Sequence, residues 1–429
     1  AAAGVARPAS IAGSAGAGNA SRTGGSYVGA PLPAPDAEGM PEVVGSRGAV
    51  RAPGAPAARF AFGSCSKHDH EQPMWGAVAA SQPDVWIWLG DNVYVDEKAL
   101  PGTQSFRWKG ERAMREAYNA QLAEPGYARV LRRAEVIGTY DDHDYGLNNA
   151  GKEWEHKRLA ARLTLDFLGE PRGSDRRARG ARSGIYESYV YGEPGRRTRV
   201  VLLDTRFERD PLPPLSDVLG ANGRIRTHAD MLGEEQWRWL ERTLAEGPRA
   251  ELTILASSVP ILPALSTFAL GWAEIEGFHR FPASRQRLLR LLSSTNTTGV
   301  VMLGGDYHLA LIDEWDARCT PLGYPLIDLV SSGLTHAADD TVPFWGAAPS
   351  YDLAAPNGVV HFGLAGVPFE RDVFLEKNWG MVEVDWDAPG GARVHLSVRD
   401  VRGAAVLQRS VRLAELAPPA GFDARASWD

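Results

Sequence analysis

Short apolar runs that end in small or acidic residues recur along this chain of 429 residues. The run 85–89 (Val-Trp-Ile-Trp-Leu) leads into Gly-Asp-Asn, and 300–303 (Val-Val-Met-Leu) leads into Gly-Gly-Asp-Tyr-His. Runs this apolar predict strands that are covered on both faces. The same pattern predicts strands at 59–65, 136–140, 200–203, 252–255 and 326–330.

Helical patterns separate several of these strands and indicate the fold class. Segments 111–123, 154–168, 233–244 and 284–292 are predicted to be helices. Alternating strands and helices predict an α/β protein with a largely parallel or mixed sheet, in which ligands bind beyond the carboxyl ends of the strands. Near the C-terminus, segments 381–386, 392–397 and 405–413 alternate apolar and polar residues and predict an antiparallel meander.

Composition changes at both ends of the chain. Residues 1–57 are rich in Ala, Gly, Pro and Ser and carry few large apolar side chains, which predicts a disordered tail. A folded domain is expected at 58–415, with a C-terminal tail at 416–429. Segment 252–273 is long and uncharged, but Pro260 and Pro263 favour a strand that runs into a loop over a membrane span.

The overall charge and the cysteine count exclude some classes of protein. The formal net charge is −7, which gives no support for nucleic-acid binding. Cys65 and Cys319 are the two cysteines, so the chain is no disulfide scaffold. The first residues lack the basic and apolar regions of a signal peptide, although a processed chain would look the same.

Acidic residues follow several predicted strands, among them Asp91, Asp141 and Asp306. One such Asp is usually a turn or cap residue, but several at one sheet edge would repel each other unless a cation neutralised them. Carboxylate, amide and imidazole groups suit hard or borderline cations. Beside such a cation Cys65 would be a thiolate ligand and Tyr94 a phenolate ligand; away from one, both would be packing residues.

Taken together, the motifs resemble the PhoD-like (alkaline phosphatase D) family of the calcineurin-like metallophosphoesterase superfamily. The Asp-Asp-His-Asp-Tyr-Gly element at 141–146 is the most specific of them. The resemblance implies an αββα sandwich. The matching segments are Phe-Gly-Ser-Cys (62–65), Gln-Pro-Met-Trp (72–75), Trp-Leu-Gly-Asp-Asn-Val-Tyr (88–94), Tyr-Asp-Asp-His-Asp-Tyr-Gly-Leu-Asn-Asn (140–149), Leu-Asp-Thr-Arg (203–206), Gly-Asp-Tyr-His (305–308) and Ser-Ser-Gly-Leu-Thr-His (331–336).

The resemblance also implies ferric iron and calcium as cofactors, with Asp91 as the bridging carboxylate. His143 is expected to face the phosphoryl group and to assist the leaving oxygen. The choice of direct ligand between Asp141 and Asp142 stays open. The implied metal ligands are Cys65, Asp91, Tyr94, Asp141, Asp142, Asn148, Asp306 and His308. The expected substrate-binding residues are Asn92, Arg206, Tyr307 and His336.

The implied activity is hydrolysis of small phosphate esters by a metal-bound hydroxide at neutral to alkaline pH. The family usually has Arg where Tyr307 stands, so one phosphate contact is missing. Diesters, which carry less charge, are therefore expected to react at least as well as monoesters. Trp272, Phe278 and Phe281 either contact the alcohol group of a diester or pack within their own loop, and the sequence leaves both roles open.

Two other functions remain open at this point. One is a non-catalytic metal-binding or interaction module of the same fold, and the other is a haloperoxidase-like or other acid-rich hydrolase without metal. The expected location is secreted, periplasmic or at the cell surface, and the sequons at 19–21 and 296–298 are compatible with it. The sequence does not indicate an oligomeric state.

Overall fold

The computed structural model describes residues 39–100, 105–214, 218, 227–262, 276–338, 359–363 and 370–422. Most of the strands belong to two sheets. The first sheet consists, in spatial order, of β16 (Ala405–Arg412), β15 (Arg393–Asp400), β14 (Asn378–Asp385), β1 (Arg59–Gly63), β2 (Val85–Leu89) and β5 (Glu135–Thr139). The second consists of β12 (Val359–Gly363), β13 (Glu370–Phe374), β10 (Ala310–Trp315), β11 (Leu326–Ser331), β9 (Val300–Gly304), β8 (Leu252–Ala256), β7 (Thr198–Leu202) and β6 (Glu187–Tyr191).

A small hairpin and a set of helices complete the described structure. The hairpin pairs β3 (Asp96–Lys98) with β4 (Phe106–Trp108). The α-helices are α1 (Trp75–Ala80), α2 (Glu111–Ala123), α3 (Pro125–Leu131), α4 (Asp142–Tyr145), α5 (Lys157–Phe167), α6 (Asp175–Gly180), α7 (Glu234–Ala245) and α8 (Pro282–Ser294).

The two sheets pack face to face between helical layers. Alternate residues of a strand point to opposite faces of its sheet. On β2, Ile87 joins a core cluster with Leu255 and Leu303 of the second sheet. Trp86 and Trp88 belong instead to a cluster with residues of α1, α2, α3 and α5. Helices α7 and α8 contribute to the core of the second sheet, so the expected αββα sandwich is confirmed.

The central strands run parallel, and this brings their carboxyl ends to one edge. Strands β1, β2 and β5 are parallel neighbours in the first sheet, as are β7, β8, β9 and β11 in the second. The predicted strands agree with these within one or two residues. The predicted meander is confirmed as β14, β15 and β16, which pair antiparallel.

Residues 43–57 belong to the folded domain, so the predicted tail is wrong for this segment. Val43 is buried, and the Gly45 amide donates to the Asp166 carbonyl at 3.0 Å. Gly48 forms a β-bridge with Glu135, and the Arg47 guanidinium lies 2.5 Å from the Glu135 carboxylate. The segment docks through backbone hydrogen bonds and two ion pairs, Arg47–Glu135 and Arg51–Asp84, which a search for apolar side chains does not reveal. Residues 1–38 lie outside the described part.

The folded domain extends beyond its predicted C-terminal boundary, and the candidate membrane segment lies partly outside the described residues. Leu416 is buried, and its carbonyl accepts from the Gly299 amide at 2.7 Å, so the folded part extends past residue 415. Residues 423–429 and 263–273 lie outside the described residues. No helix in the described ranges combines the length and the apolar character that a bilayer span requires.

We expect a chain that begins at Ala58 to be less stable than one that begins at Gly39. Removing residues 39–57 takes the cation from the buried Glu135, which should lower the free energy of unfolding by at least about 2 kcal/mol. Urea unfolding of the two chains measures the difference. Equal stability would mean that the segment contributes nothing to folding.

Point variants separate the ion pair from the rest of the segment. Arg47→Met should destabilise the full chain, because Glu135 is 3% exposed. Arg196→Met is the matched control, since Arg196 and Asp387 form an ion pair in which both side chains are more than half exposed. That control should change the free energy of unfolding by less than about 0.5 kcal/mol.

Candidate metal centre

The carboxyl ends of both sheets meet at Gly305, which follows β9. A Cβ atom at this position would lie 2.6 Å from the Ser258 carbonyl oxygen, 2.8 Å from Ser64 Oγ and 3.0 Å from the Leu89 carbonyl oxygen. Only glycine has no Cβ, so only glycine permits this approach without a shift of the backbone. The close contact brings the loops after β1, β2, β8 and β9 into one cluster.

Several predicted ligands have left-handed backbone conformations. The φ angles are 62° at Cys65, 50° at Asp91, 69° at Asp306 and 56° at His308. Such a conformation costs a non-glycine residue about 1–3 kcal/mol and persists where the surrounding structure enforces it, often at functional sites. Each of these residues follows a strand end, so the strain aims side chains from different strands at one point.

A first group of side chains joins four of the predicted ligands. Donor atoms of Cys65, Asp91 and His308 all lie within 4.8 Å of one another. Tyr94 Oη donates to Asp91 Oδ2 at 2.8 Å and lies 3.2 Å from His308 Nε2. Cys65 Sγ is 3.5 Å from the same Asp91 oxygen. The structure therefore brings together the residues that the resemblance implies for iron.

A second group lies beside the first. Donor atoms of Asp141, Asp142 and Asp306 are all within 4.8 Å of one another, and Asp142 also groups with Asp91 and His143. Both members of the pair 141–142 therefore face the centre. Asp141 Oδ2 and Asp142 Oδ1 are buried and have no hydrogen-bond partner in the described structure. Two oxygens left free in this way are available to a cation.

A buried arginine holds the carboxylate of Asp141. Arg206 Nε donates to Asp141 Oδ1 at 2.5 Å, and Ser258 Oγ donates to the same oxygen at 2.7 Å. Glu276 lies 2.5 Å from Arg206 Nη1 and 3.1 Å from Arg209 Nη1. Because Oδ1 is engaged, Oδ2 is the oxygen that faces the centre. The contacts of Arg206 and Ser258 thus position the Asp141 carboxylate. A contact between Arg206 and substrate stays a prediction.

Asp144, which the sequence analysis did not single out, ties the loop after β2 to the loop after β5. Its carboxylate accepts from the backbone amides of Asp91, Asn92 and Asp141 at 3.2, 3.1 and 2.7 Å. Asn92 Nδ2 donates to Asp144 and to the Thr139 carbonyl, while Asn92 Oδ1 has no partner. An acceptor oxygen cannot hydrogen-bond a phosphoryl oxygen, so this orientation of Asn92 suits a cation better than the substrate contact we expected.

Asp96 orients the predicted catalytic histidine and is a residue that sequence reasoning missed. His143 Nδ1 lies 2.7 Å from Asp96 Oδ1, and Asp96 Oδ2 accepts from the Asn148 amide at 2.8 Å. The His143 ring stacks on Tyr94 with centroids 4.3 Å apart. The only hint of this role in the sequence was the position of Asp96 itself, an acidic residue five positions after Asp91 at the start of β3. The Asn148 side chain stays a predicted ligand.

The remaining predicted substrate contacts differ in their position. The His336 ring lies 4.3 Å from His308 and 5.1 Å from Tyr94, which places it at the centre. Tyr307 packs in a small apolar cluster, and its place at the phosphate stays a prediction. Phe278 and Phe281 are fully buried in the main core, so of the two roles considered for them the structure supports packing and not contact with substrate. The third aromatic, at position 272, lies outside the described residues.

Burial and like charges perturb the pKa values of the acidic groups. Burial, with Asp141 and Asp142 nearby, holds the pKa of Asp306 well above its ordinary value. Burial also raises the pKa of Asp141 to about 6, although Arg206 opposes the shift. For His143, burial opposes protonation, but Asp142 and other carboxylates outweigh it and raise the pKa. A cluster that resists ionisation in this way is stabilised by added positive charge.

The donor set fits metal ions. Hard oxygen donors from carboxylates lie beside a thiol, a phenol and an imidazole, and two of the carboxylate oxygens have no other partner in the described structure. Carboxylates suit hard cations, whereas imidazole and thiolate suit borderline or softer ones. Two neighbouring groups of different composition therefore favour two different cations.

Comparison with known proteins identifies the family of this chain. Residues 60–344 match the family described as PhoD-like phosphatase. The chain belongs to this family. It is 26% identical over 299 residues to alkaline phosphatase D of Bacillus subtilis (strain 168), an alignment that covers 62% of this chain and 48% of the relative. The matched region is thus about half the length of that relative.

A solved structure supports the fold assignment of this PhoD-like chain. The structure titled "Structure of PhoD" superposes with a TM-score of 0.54 at 18% sequence identity. The match covers 87% of this chain and 74% of that one. At this identity the likeness establishes the shared fold, while the roles of individual residues rest on the geometry above.

We expect Asp142→Asn and Asp306→Asn to lose bound metal. Each change removes an anionic donor from the second group. Even residues outside the ligand shell change metal affinity by about 10–100-fold, so the loss should be at least about tenfold. Equilibrium dialysis followed by elemental analysis measures it without reference to activity. Asp316→Asn, an exposed acid paired with Arg318, is the matched control and should bind metal like the unaltered chain.

Proposed function

We propose that this chain hydrolyses small phosphate esters in a metal-dependent reaction at neutral to alkaline pH. The observation that carries the proposal is the meeting of two metal-binding groups with the Asp96-held His143 at one sheet edge. Membership of the PhoD-like phosphatase family supports it. Phosphomonoesters and phosphodiesters are both candidate substrates. The location we propose is secreted, periplasmic or at the cell surface.

The proposed cofactors are ferric iron and calcium. Cys65, Tyr94 and His308 would hold the iron, because this group contains the imidazole and thiolate donors that iron accepts, and the phenolate is a hard oxygen donor that suits a ferric ion. Asp91 lies between the two groups and would bridge the cations. The all-oxygen donors of the second group, with Asn148 in addition, would hold calcium. Asp141 and Asp142 each present a free oxygen to that second cation.

The protein's part in the reaction is to hold and orient. Bound cations lower the pKa of water and offset negative charge on the phosphoryl oxygens. Asp96 engages His143 Nδ1, so His143 Nε2 remains for the oxygen that leaves phosphorus. Stacking on Tyr94 restrains the imidazole further. A proton delivered from this nitrogen lets the alcohol depart as a neutral product.

One observation argues against each of the two alternative functions, the non-catalytic module and the hydrolase without metal. A degenerate module would have no need for a complete set of donors, yet Cys65, Asp91, Tyr94 and His308 lie together. A hydrolase without metal would have to pair its buried carboxylate oxygens, yet Asp141 Oδ2 and Asp142 Oδ1 are buried and have no hydrogen-bond partner in the described structure. Both observations favour a metal-dependent enzyme.

The iron assignment predicts a visible absorption band in the metal-loaded protein. Thiolate and phenolate bound to ferric iron give charge-transfer absorption, so Cys65→Ser and Tyr94→Phe should each shift or abolish the band. Absorption spectra alongside iron content test this. Tyr127→Phe is the control, because Tyr127 is a buried tyrosine hydrogen-bonded to Trp88 away from the acids. Fully active protein without iron and without colour would refute the assignment.

The role of His143 predicts a loss confined to turnover. His143→Ala should lower kcat by about 10²–10⁴-fold, the usual contribution of a positioned acid, with metal content near that of the unaltered chain. Asp96→Asn should lower kcat as well, since it weakens the hold on Nδ1. Steady-state kinetics with metal analysis measures both. Unchanged turnover in His143→Ala would leave this histidine as a structural residue.

A further inference from the structure

Lys67 places an ammonium group at the edge of the metal centre. It lies two residues after Cys65, and its backbone amide donates to Thr335 Oγ1 at 2.7 Å. Its Nζ atom lies over the ring of Tyr94, 5.4 Å from the ring centroid. The Tyr94 hydroxyl at the other end of this side chain donates to Asp91. Lys67 is therefore held beside a predicted ligand by both its backbone and its side chain.

The charge of Lys67 acts on the histidines of the site. Burial is the main reason for the low pKa values of His308 and His336, and the Lys67 charge contributes to both. In the described part of the chain, Lys67 forms no ion pair with a carboxylate, although its Nζ atom lies over the ring of Tyr94, which donates to Asp91. An ammonium that faces the centre without a carboxylate partner is available to an anion that enters from solvent.

Lys67 is among the residues at the centre that are accessible to solvent. Cys65 and Asp91 are buried, whereas Lys67, Asp306 and His308 are partly exposed. The Lys67 ammonium is therefore accessible both to solvent and to the neighbourhood of the buried donors. The loop after β1 supplies this cation, while the loop after β9 carries the neutral Tyr307 between the predicted ligands Asp306 and His308.

We propose that Lys67 contacts the outer oxygens of the phosphoryl group and makes the site selective for phosphomonoesters over phosphodiesters. This inference rests on the proposed function. A monoester presents two negative charges, and the ammonium is a compact cation with three donors. A diester carries one charge fewer, and its second alcohol group replaces an oxygen that the ammonium would contact. The neutral Tyr307 alone led us to expect that diesters react at least as well as monoesters, whereas Lys67 predicts that monoesters react better.

The test compares para-nitrophenyl phosphate with bis(para-nitrophenyl) phosphate as a matched pair of substrates. In Lys67→Gln, kcat/KM for the monoester should fall by about 10–100-fold, the value of a charge-assisted hydrogen bond, and that for the diester by less than about threefold. Lys67→Arg keeps the charge and should keep most of the preference. A fall of equal size for both substrates, or an unchanged ratio, would overturn the proposal.

Lys109→Gln is the matched control for the loss of one positive charge. Its ammonium lies near the same loop but donates to the Tyr94 backbone carbonyl at 3.4 Å. We expect its substrate ratio to equal that of the unaltered chain. If Lys109→Gln shifted the ratio as much as Lys67→Gln does, a general field effect and not a contact by Lys67 would explain the preference.

Binding of inorganic phosphate separates this inference from the proposed function. Calorimetry on the metal-loaded protein should show that Lys67→Gln weakens phosphate binding by at least about tenfold, while Lys67→Arg and Lys109→Gln bind like the unaltered chain. Hydrolysis of neither ester by the unaltered chain would refute the proposed function, and the phosphate titration would still decide the role of Lys67. Equal phosphate affinity in Lys67→Gln and the unaltered chain would refute the inference.

Discussion

Buried carboxylates at the carboxyl ends of the strands are the feature around which this structure is arranged. Asp91 and Asp141 are buried, Asp306 is partly exposed, and all three lie close to Asp142. Burial and the neighbouring carboxylates oppose the ionisation of Asp91, Asp141 and Asp306 and raise their pKa values. Such a cluster is stable only if positive charge and hydrogen-bond donors surround it. The loops between strands supply both.

Arg206 is the main buried cation among these acids, and it does not stand alone. Glu276 pairs with it and with Arg209, so the guanidinium that holds Asp141 is itself held from the far side. Asp144 performs the corresponding task for the backbone, because its carboxylate receives amides from two different loops. The acids therefore keep fixed orientations, and the oxygens without partners face the same point.

The backbone at this edge is strained, and the sandwich around it supplies the stability to maintain that strain. Left-handed conformations at Cys65, Asp91, Asp306 and His308 would be unfavourable in a free chain. Here each follows a strand that is buried in the packed sheets, and the glycine at 305 lets the two sheet ends approach. Rigid strands thus convert local strain into accurate placement of side chains.

The sequence by itself determined the fold class, the strands, the main helices and the chemical type of the site. These features are encoded by neighbouring residues: the apolar runs at 85–89 and 300–303 became β2 and β9, and helix 111–123 became α2 with the same bounds. The motif resemblance also predicted the metal ligands of both groups, and the structure brings these side chains together. The role of Asn148 as a ligand stays a prediction.

Only the tertiary structure decided the contacts between residues far apart in the chain. It docked segment 43–57 on β5 through backbone hydrogen bonds, buried Phe278 and Phe281 in the core, and joined Asp96 to His143. Lys67 and Thr335 meet although 268 positions separate them. Periodicity and local propensity describe a segment and its neighbours, while such pairings depend on how the sheets stack and where the loops return.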